Sequence, residues 1–330
     1  MLIGGAGYIG SHMTKMLVRS GYEVVVVDNL STGFARAVKY GKLLEGDLAD
    51  IEFLENIFQA HQFEAVMHFA ACSLVGESIQ TPAKYYRNNV SNTLNLLDVM
   101  VRHYVKNFIF SSTAATFGEP KYVPIDEAHP QKPINPYGAS KLMVERILED
   151  YADAYGLKSV CLRYFNACGA DPEGELGENH NPETHLIPLI LQAASGRREA
   201  ITVFGRDYPT PDGTCIRDYI HINDICSAHQ LALKYIMQEK DPCALAYNLG
   251  NGTGYSVQQV IDAAIEVVAQ DGYSIKIEEG QRRSGDPAVL IADAGLAKKA
   301  LNWMPEFDDL NLIVKHAWLW EKAIAVVRTL

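Results

Sequence analysis

The chain opens MLIGGAGYIGSHMTKMLVRSGYEVVVVDN (1–29), and this stretch decides the fold. Gly4, Gly7 and Gly10 form a G-x-x-G-x-x-G run at the head of the segment Ser11 to Ser20, which ends at Gly21 before the apolar run Val24 to Val27. Glycines there let the backbone turn tightly and approach a pyrophosphate, which then rests on the free N–H groups of a helix N-terminus. Alone the run is a weak signal, because glycine-rich turns are common. Asp28, closing the second strand, strengthens it. A carboxylate at that point accepts both hydroxyls of an adenosine ribose and repels a 2'-phosphate, so the expected cofactor is NAD rather than NADP. Only Met1 to Ile3 precede Gly4, so the first strand, normally central in such a sheet, is expected to be a stub.

Outward from this stretch, short runs rich in Val, Ile and Phe recur between helix-like segments: Ala65 to Phe69, Phe108 to Phe110 and Ser159 to Phe165. That alternation predicts an α/β fold, a Rossmann-type doubly wound parallel sheet with helices on both faces. Asn135-Pro136 reads as an N-cap followed by Pro at the first helical position, and the helix over Tyr137 to Tyr151 carries Leu142, Met143, Ile147 and Leu148 on one stripe. After Asn166 the rhythm changes to loops rich in Gly, Pro, Asp and Glu, at Gly169 to Pro188 and Gly205 to Thr214. The expected organisation is an NAD-binding domain over 1–166, to which 217–248 returns, and a smaller mixed α/β substrate-binding lobe from 167–216 and 249–330.

The 330 residues carry 29 Lys+Arg against 40 Asp+Glu, a formal charge of -11. No basic tract is left to follow a phosphodiester backbone or an anionic membrane, so neither nucleic acid nor a membrane surface is an expected partner. No apolar stretch approaches the length of a membrane span, and no basic residue precedes an apolar run as in a secretory signal. Six cysteines without C-x-x-C spacing fit a reducing cytoplasm. His180 and His185 suggest a metal pair, but no third ligand stands at a convincing spacing, so no metal is expected.

Tyr137 and Lys141 are four residues apart and share one helix face. A phenol titrates too high to be a base at neutral pH, but a nearby ammonium and the positive end of a helix favour phenolate. The pair can therefore take a proton from an alcohol while hydride leaves its carbon. Y-x-x-x-K arises by chance about once in a chain of this size, so context must carry it. Here it opens a helix and comes after a strand ending Ser111-Ser112-Thr113, whose hydroxyl can share the substrate proton and complete a Thr113/Tyr137/Lys141 constellation.

Together with these motifs, GGAGYIGSH (4–12), HFAA (68–71), VGES (75–78), YYRNN (85–89), FSSTAA (110–115), NPYGASKLMVE (135–145), LRYFN (162–166) and DGTCIRDYIH (212–221) resemble the extended short-chain dehydrogenases and, within them, the UDP-glucose 4-epimerase family. The blocks keep the family's order across nearly the whole chain. The resemblance implies that Gly4, Gly7, Tyr8, Ile9, Gly10, Asp28, Asn29, Asp47, Leu48, Phe69, Ala70, Ala71, Asn88 and Ser111 line the NAD site, with Tyr137 and Lys141 on the nicotinamide ribose and Tyr164 beside the nicotinamide. It implies a UDP-hexose held by Thr113, Asn166, His185, Leu186, Phe204, Arg217, Arg283, Asp286 and Leu290, the two arginines on the diphosphate, a role that suits their planar fork. It also implies a homodimer through the helices that include Asn89 to His103 and Tyr137 to Tyr151. Thr113 stands where many members have Ser, Ser73 where a Lys is frequent near the cofactor, and His185 where an Asn touches the diphosphate.

Many relatives oxidise C4 of a nucleotide sugar with the same Tyr and Lys and differ in the later steps. A 4,6-dehydratase of this group needs an Asp-Glu pair directly after the Ser/Thr to move protons at C5 and C6. Here those positions are Ala114 and Ala115, which disfavours elimination and leaves return of the hydride, the reaction of a 4-epimerase with tightly held NAD. Leu290 aligns with a position whose bulk gates N-acetyl sugars in the family. Its intermediate size leaves UDP-N-acetylhexosamines or UDP-pentoses open as alternative substrates. A non-catalytic NAD-binding regulator, the remote alternative, would typically lack the Tyr/Lys pair.

Overall fold

The computed structural model describes residues 1–282 and 286–329, with side chains through 325. The first half runs β1 (Leu2–Ile3), α1 (Tyr8–Arg19), β2 (Val25–Asp28), β3 (Lys42–Glu45), α2 (Ile51–Ala60), β4 (Val66–His68), α3 (Val75–Gln80), α4 (Pro82–Tyr85), α5 (Asn92–Arg102), β5 (Asn107–Thr113), α6 (Pro136–Tyr155) and β6 (Lys158–Tyr164). The second half runs β7 (Asn166–Cys168), α7 (Leu186–Ala194), β8 (Ile201–Phe204), β9 (Ile216–His221), α8 (Ile222–Gln238), β10 (Cys243–Leu249), β11 (Gly254–Ser256), α9 (Val257–Ala269), β12 (Ile277–Gly280), β13 (Val289–Leu290), α10 (Gly295–Leu301) and α11 (Leu310–Thr329).

Seven strands lie in the order β10-β6-β5-β4-β1-β2-β3, and every pairing is parallel. β1 is the expected stub of two residues, yet it is an interior strand: Leu2 stands beside both Val26 and Met67. Alternate strand residues separate two cores, as the period of 2 requires. Leu2, Val26, Met67 and Ile109 pack with Met13 and Leu17 of α1 and with Ile225 and Ile236 of α8, whereas Ile3, Val27, Phe108 and Phe110 pack with Leu54 of α2, Leu96 of α5 and Val144 of α6. The strand order reverses between β1 and β4, and the crevice beyond that switch point is where ligands bind in open parallel sheets.

The segment 217–248 contributes α8 and β10 to this layer, but its first strand does not cross back. β9 pairs instead with β7, β11 and β13 in a second, four-stranded sheet. β9 carries Asp218 fully buried, and the N–H groups that satisfy its carboxylate come from Asn251, Gly252 and Ala292, beside β11 and β13, which ties the strand to those segments. A third core joins α7, α9 and α11 through Ile187, Ile190, Val260, Ile261, Ile313 and Trp318. Among the described residues no helix is long and apolar enough to cross a membrane.

Candidate active site

α1 begins inside the glycine run, at Tyr8, and its N-cap Gly7 supplies no side-chain capping bond, so the first-turn N–H groups are left without a capping side chain. Gly4 takes φ +81°, and a Cβ on Gly10 would lie 2.2 Å from the Gly4 carbonyl oxygen, so any side chain there would push helix and loop apart. Asp28 ends β2 and faces this loop. Its Oδ2 accepts from the Ala6 N–H at 2.8 Å and its Oδ1 from the Leu30 N–H at 2.8 Å. Burial pushes this carboxyl's pKa up, and the two amide bonds pull it back. Asn29 donates to Asp47 at 2.7 Å, and the Leu48 carbonyl accepts from Asn95 at 3.1 Å, so these rim residues are fixed by their neighbours. Phe69 continues from β4 with its N–H on the Ile3 carbonyl at 2.8 Å, and Ala70 comes next, against Gly4. Tyr8 donates to the Gly169 carbonyl at 2.7 Å, bridging α1 to the loop after β7. A helix N-terminus without a capping side chain, a glycine cradle too tight for side chains and a carboxylate at the end of β2 fit the pyrophosphate and adenosine ribose of a dinucleotide.

β5 and α6 assemble the proton-transfer residues. Asn135 caps α6 by accepting from the Gly138 N–H at 2.8 Å, with Pro136 at the first turn. A Cβ on Gly138 would lie 2.3 Å from the Ala115 carbonyl oxygen, which lets the helix start touch the turn after β5. That approach sets the Tyr137 hydroxyl in a hydrogen bond with Thr113. Lys141 is 2% exposed, donates to the Ser111 carbonyl at 2.7 Å and lies 4.6 Å from the Phe110 ring centre. Burial raises the Tyr137 phenol, which the Thr113 bond partly offsets, and burial lowers the Lys141 ammonium to about 7. Tyr164 is buried at the end of β6, where its hydroxyl meets that of Ser111. The structure thus brings Ser111, Thr113, Tyr137, Lys141 and Tyr164 together.

The spacing of residues gave no warning of the support behind this group. Glu145, one turn beyond Lys141 on α6, accepts from Ser112 Oγ at 2.5 Å and from Arg163 Nη2 at 2.6 Å, and both charged side chains are 6–7% exposed. The available signal was Arg163 inside the apolar run of β6: a buried guanidinium requires a partner.

In the second lobe Arg217 donates to the carbonyls of Ile216 at 2.9 Å and Pro287 at 2.8 Å, the latter next in the chain to Asp286, and Leu290 pairs with it in register. Asn166 opens β7 opposite Tyr219, and Phe204 closes β8 in the separate β8–β12 pair, exposed. Asn88 donates to Asn89, whose side chain in turn donates to Ser140 on α6 at 2.9 Å. Ile9 and Ala71 are half-buried beside the glycine run and after β4. Arg283 lies outside the described residues. His185 is the N-cap of α7, directly before Leu186. The expectation that His180 and His185 lack further ligands is corrected: the loop folds Glu178 and Glu183 against them, with ligand atoms of all four within 4.8 Å of one another. The sequence spacing alone did not disclose this, because the two carboxylates converge only when the loop closes on itself.

The family model described as "NAD dependent epimerase/dehydratase family" matches residues 1–250, and the chain belongs to that family. Within it, the chain is 51% identical over 326 residues to the UDP-glucose 4-epimerase of Streptococcus mutans, covering 98% of this chain and 96% of that one. The crystal structure of UDP-glucose 4-epimerase from Brucella ovis in complex with NAD superposes with a TM-score of 0.92 at 48% identity, covering 96% of each chain. The UDP-Glc/GlcNAc 4-epimerase from Campylobacter jejuni gives a TM-score of 0.84 at 44% identity, covering 98% of each chain.

Proposed function

We propose that this chain is a nucleotide-sugar 4-epimerase that interconverts UDP-galactose and UDP-glucose through a 4-keto sugar. The observation that carries the reading is the Thr113/Tyr137/Lys141 group at the end of β5, with Ala114 and Ala115 next in the chain where an eliminating enzyme needs an acid–base pair. The amides opening α1 would hold the NAD pyrophosphate and Asp28 the adenosine ribose. NAD, when bound, supplies the acceptor and donor of the C4' hydride.

Tyr137 takes the 4'-hydroxyl proton, and the Thr113 hydroxyl that already bonds it shares that proton. Burial raises the Tyr137 phenol and lowers the Lys141 ammonium; Lys141, one turn on along the same helix, is the cation that would support the phenolate that proton removal requires. The 4-keto sugar then turns over and regains hydrogen on its other face while Tyr137 returns the proton. Binding must therefore rest on the UDP part, for which Arg217, fixed by two carbonyls, is the anchor; Arg283 has the same role from the resemblance. Asn166, His185, Leu186, Phe204 and Leu290 complete the substrate site.

Incubation with UDP-galactose and no added NAD, with products resolved by chromatography and NMR, is expected to give UDP-glucose. A 4,6-dehydrated sugar would overturn the assignment. Intermediate bulk at Leu290 and the Campylobacter jejuni neighbour favour some turnover of UDP-N-acetylgalactosamine in the same assay. We read the enzyme as a cytoplasmic homodimer serving galactose metabolism. Its free cysteines, the exposed Met143 and Tyr155 on α6 and the exposed Tyr104 after α5 support that reading. Sedimentation as a monomer alone would refute the dimer.

A further inference from the structure

The loop between β7 and α7 gathers four metal-ligating side chains at the boundary between the cofactor layer and the second lobe. Glu178 and Glu183 are 4% and 5% exposed, and among the described residues their ion pairs are with imidazoles alone. The nearby trio Asp171, Glu173 and Glu175 differs, because Lys15 already pairs with all three and Arg19 with Glu173. Two carboxylates and two imidazoles instead bring one ligand atom each to within 4.8 Å of one another, a donor set that suits a divalent cation.

The atoms facing inward are those a cation would use. His180 Nδ1 lies 3.1 Å from Glu178 Oε1 and 3.6 Å from Glu183 Oε2, and His185 Nδ1 lies against Glu178 Oε1 and 3.7 Å from Glu183 Oε1. His180 Nδ1 is fully buried, yet it makes no hydrogen bond despite these neighbours. Glu183 Oε1 is occupied by the N–H groups of Thr184 and His185 at 2.8 and 3.0 Å, which orients the carboxylate and leaves Oε2 inward. A tetrahedral zinc with bonds of ~2.0–2.1 Å separates its ligand atoms by roughly 3.3 Å, close to the two spacings from His180 Nδ1, whereas His185 Nδ1 and Glu178 Oε1 lie nearer and would move apart to admit the ion.

We propose that Glu178, His180, Glu183 and His185 form a binding site for one divalent cation of borderline character, Zn2+, with two imidazole Nδ1 and two carboxylate oxygens as ligands. The set is closed by four protein groups, which marks a structural rather than a catalytic ion. The ion would tie together three elements. Trp320 of α11 donates to the Glu178 carbonyl at 2.9 Å, the His180 ring packs edge-on to Tyr8 at 6.4 Å between centres, and His185 caps α7.

The test uses the tag-free full chain, dialysed against a chelator and returned to metal-free buffer near pH 7.5. Titration with Co2+ is expected to give the visible d–d bands of a four-coordinate ion, saturating at one equivalent per chain and displaced by one equivalent of Zn2+. His180→Ala and Glu183→Gln, checked for native circular dichroism, should each weaken binding by at least about 100-fold. X-ray absorption of the zinc-loaded wild type needs no variant and should show two imidazole scatterers among four N/O ligands. Absence of stoichiometric Co2+ binding, an unchanged spectrum in His180→Ala, or a zinc shell without imidazole would each overturn the proposal.

Discussion

Replacing Glu145 by Gln removes one charge from a buried pair and leaves its partner in place. Arg163 would keep a guanidinium 7% exposed, now facing a neutral amide, and Ser112 Oγ would lose its carboxylate acceptor. Breaking a buried ion pair from one side costs about 3–5 kcal/mol, because the remaining charge keeps its desolvation penalty without its attraction. Unfolding entropy of roughly 2.1 cal/mol/K per residue over 330 residues is about 0.7 kcal/mol/K, so Tm should fall by ~4–7 °C. Differential scanning calorimetry at matched NAD content measures it. The paired change Glu145→Met with Arg163→Met removes both charges and should recover most of that loss. Because the pair ties α6 to β5 and β6 behind Lys141, Glu145→Gln should also lower kcat more than it raises KM. A Tm within 1 °C of wild type, or a double variant no more stable than the single one, would refute a dry and structurally important pair.

Tyr137→Phe should retain the fold and NAD and lose about 10²–10⁴ in kcat, checked by steady-state turnover; wild-type rates would contradict its proton-transfer role. Gly138→Ala places a methyl 2.3 Å from the Ala115 carbonyl and must push α6 off the β5 turn, so turnover should drop at least about 10-fold with far-UV dichroism unchanged. Lys141 supplies the pH dependence. Its folded pKa of about 7 lies below the unfolded 10.5, so the unfolded chain binds more protons between those values and this group's contribution to stability rises with pH across the window. The Tm of wild type relative to Lys141→Met should therefore climb from pH 7 to 10, and a flat difference would contradict the burial.

The glycine run, Asp28 and the Asn135-Pro136 cap were legible because each acts through local backbone geometry at fixed spacing. Boundaries moved only slightly: the helix expected over Tyr137 to Tyr151 spans Pro136–Tyr155, ending at Gly156 with φ +70°. The return of 217–248 was legible for α8 and β10 but not for β9, because the strands that flank it and the N–H groups that meet Asp218 come from distant segments. Glu145 with Arg163, and Glu178 with Glu183, were hidden for the same reason. Their partners meet through folding, and burial, which gives the contacts their energy, is not written in spacing.

In the proposed reaction the hydrogen leaving C4' returns to the same sugar. UDP-galactose deuterated at C4' and incubated in ordinary water with no added NAD tests this most directly, with the UDP-glucose product examined by NMR and mass spectrometry. Full retention of deuterium at C4' is the expected result. Loss of the label to solvent would contradict it, because proton abstraction from carbon would then replace hydride transfer.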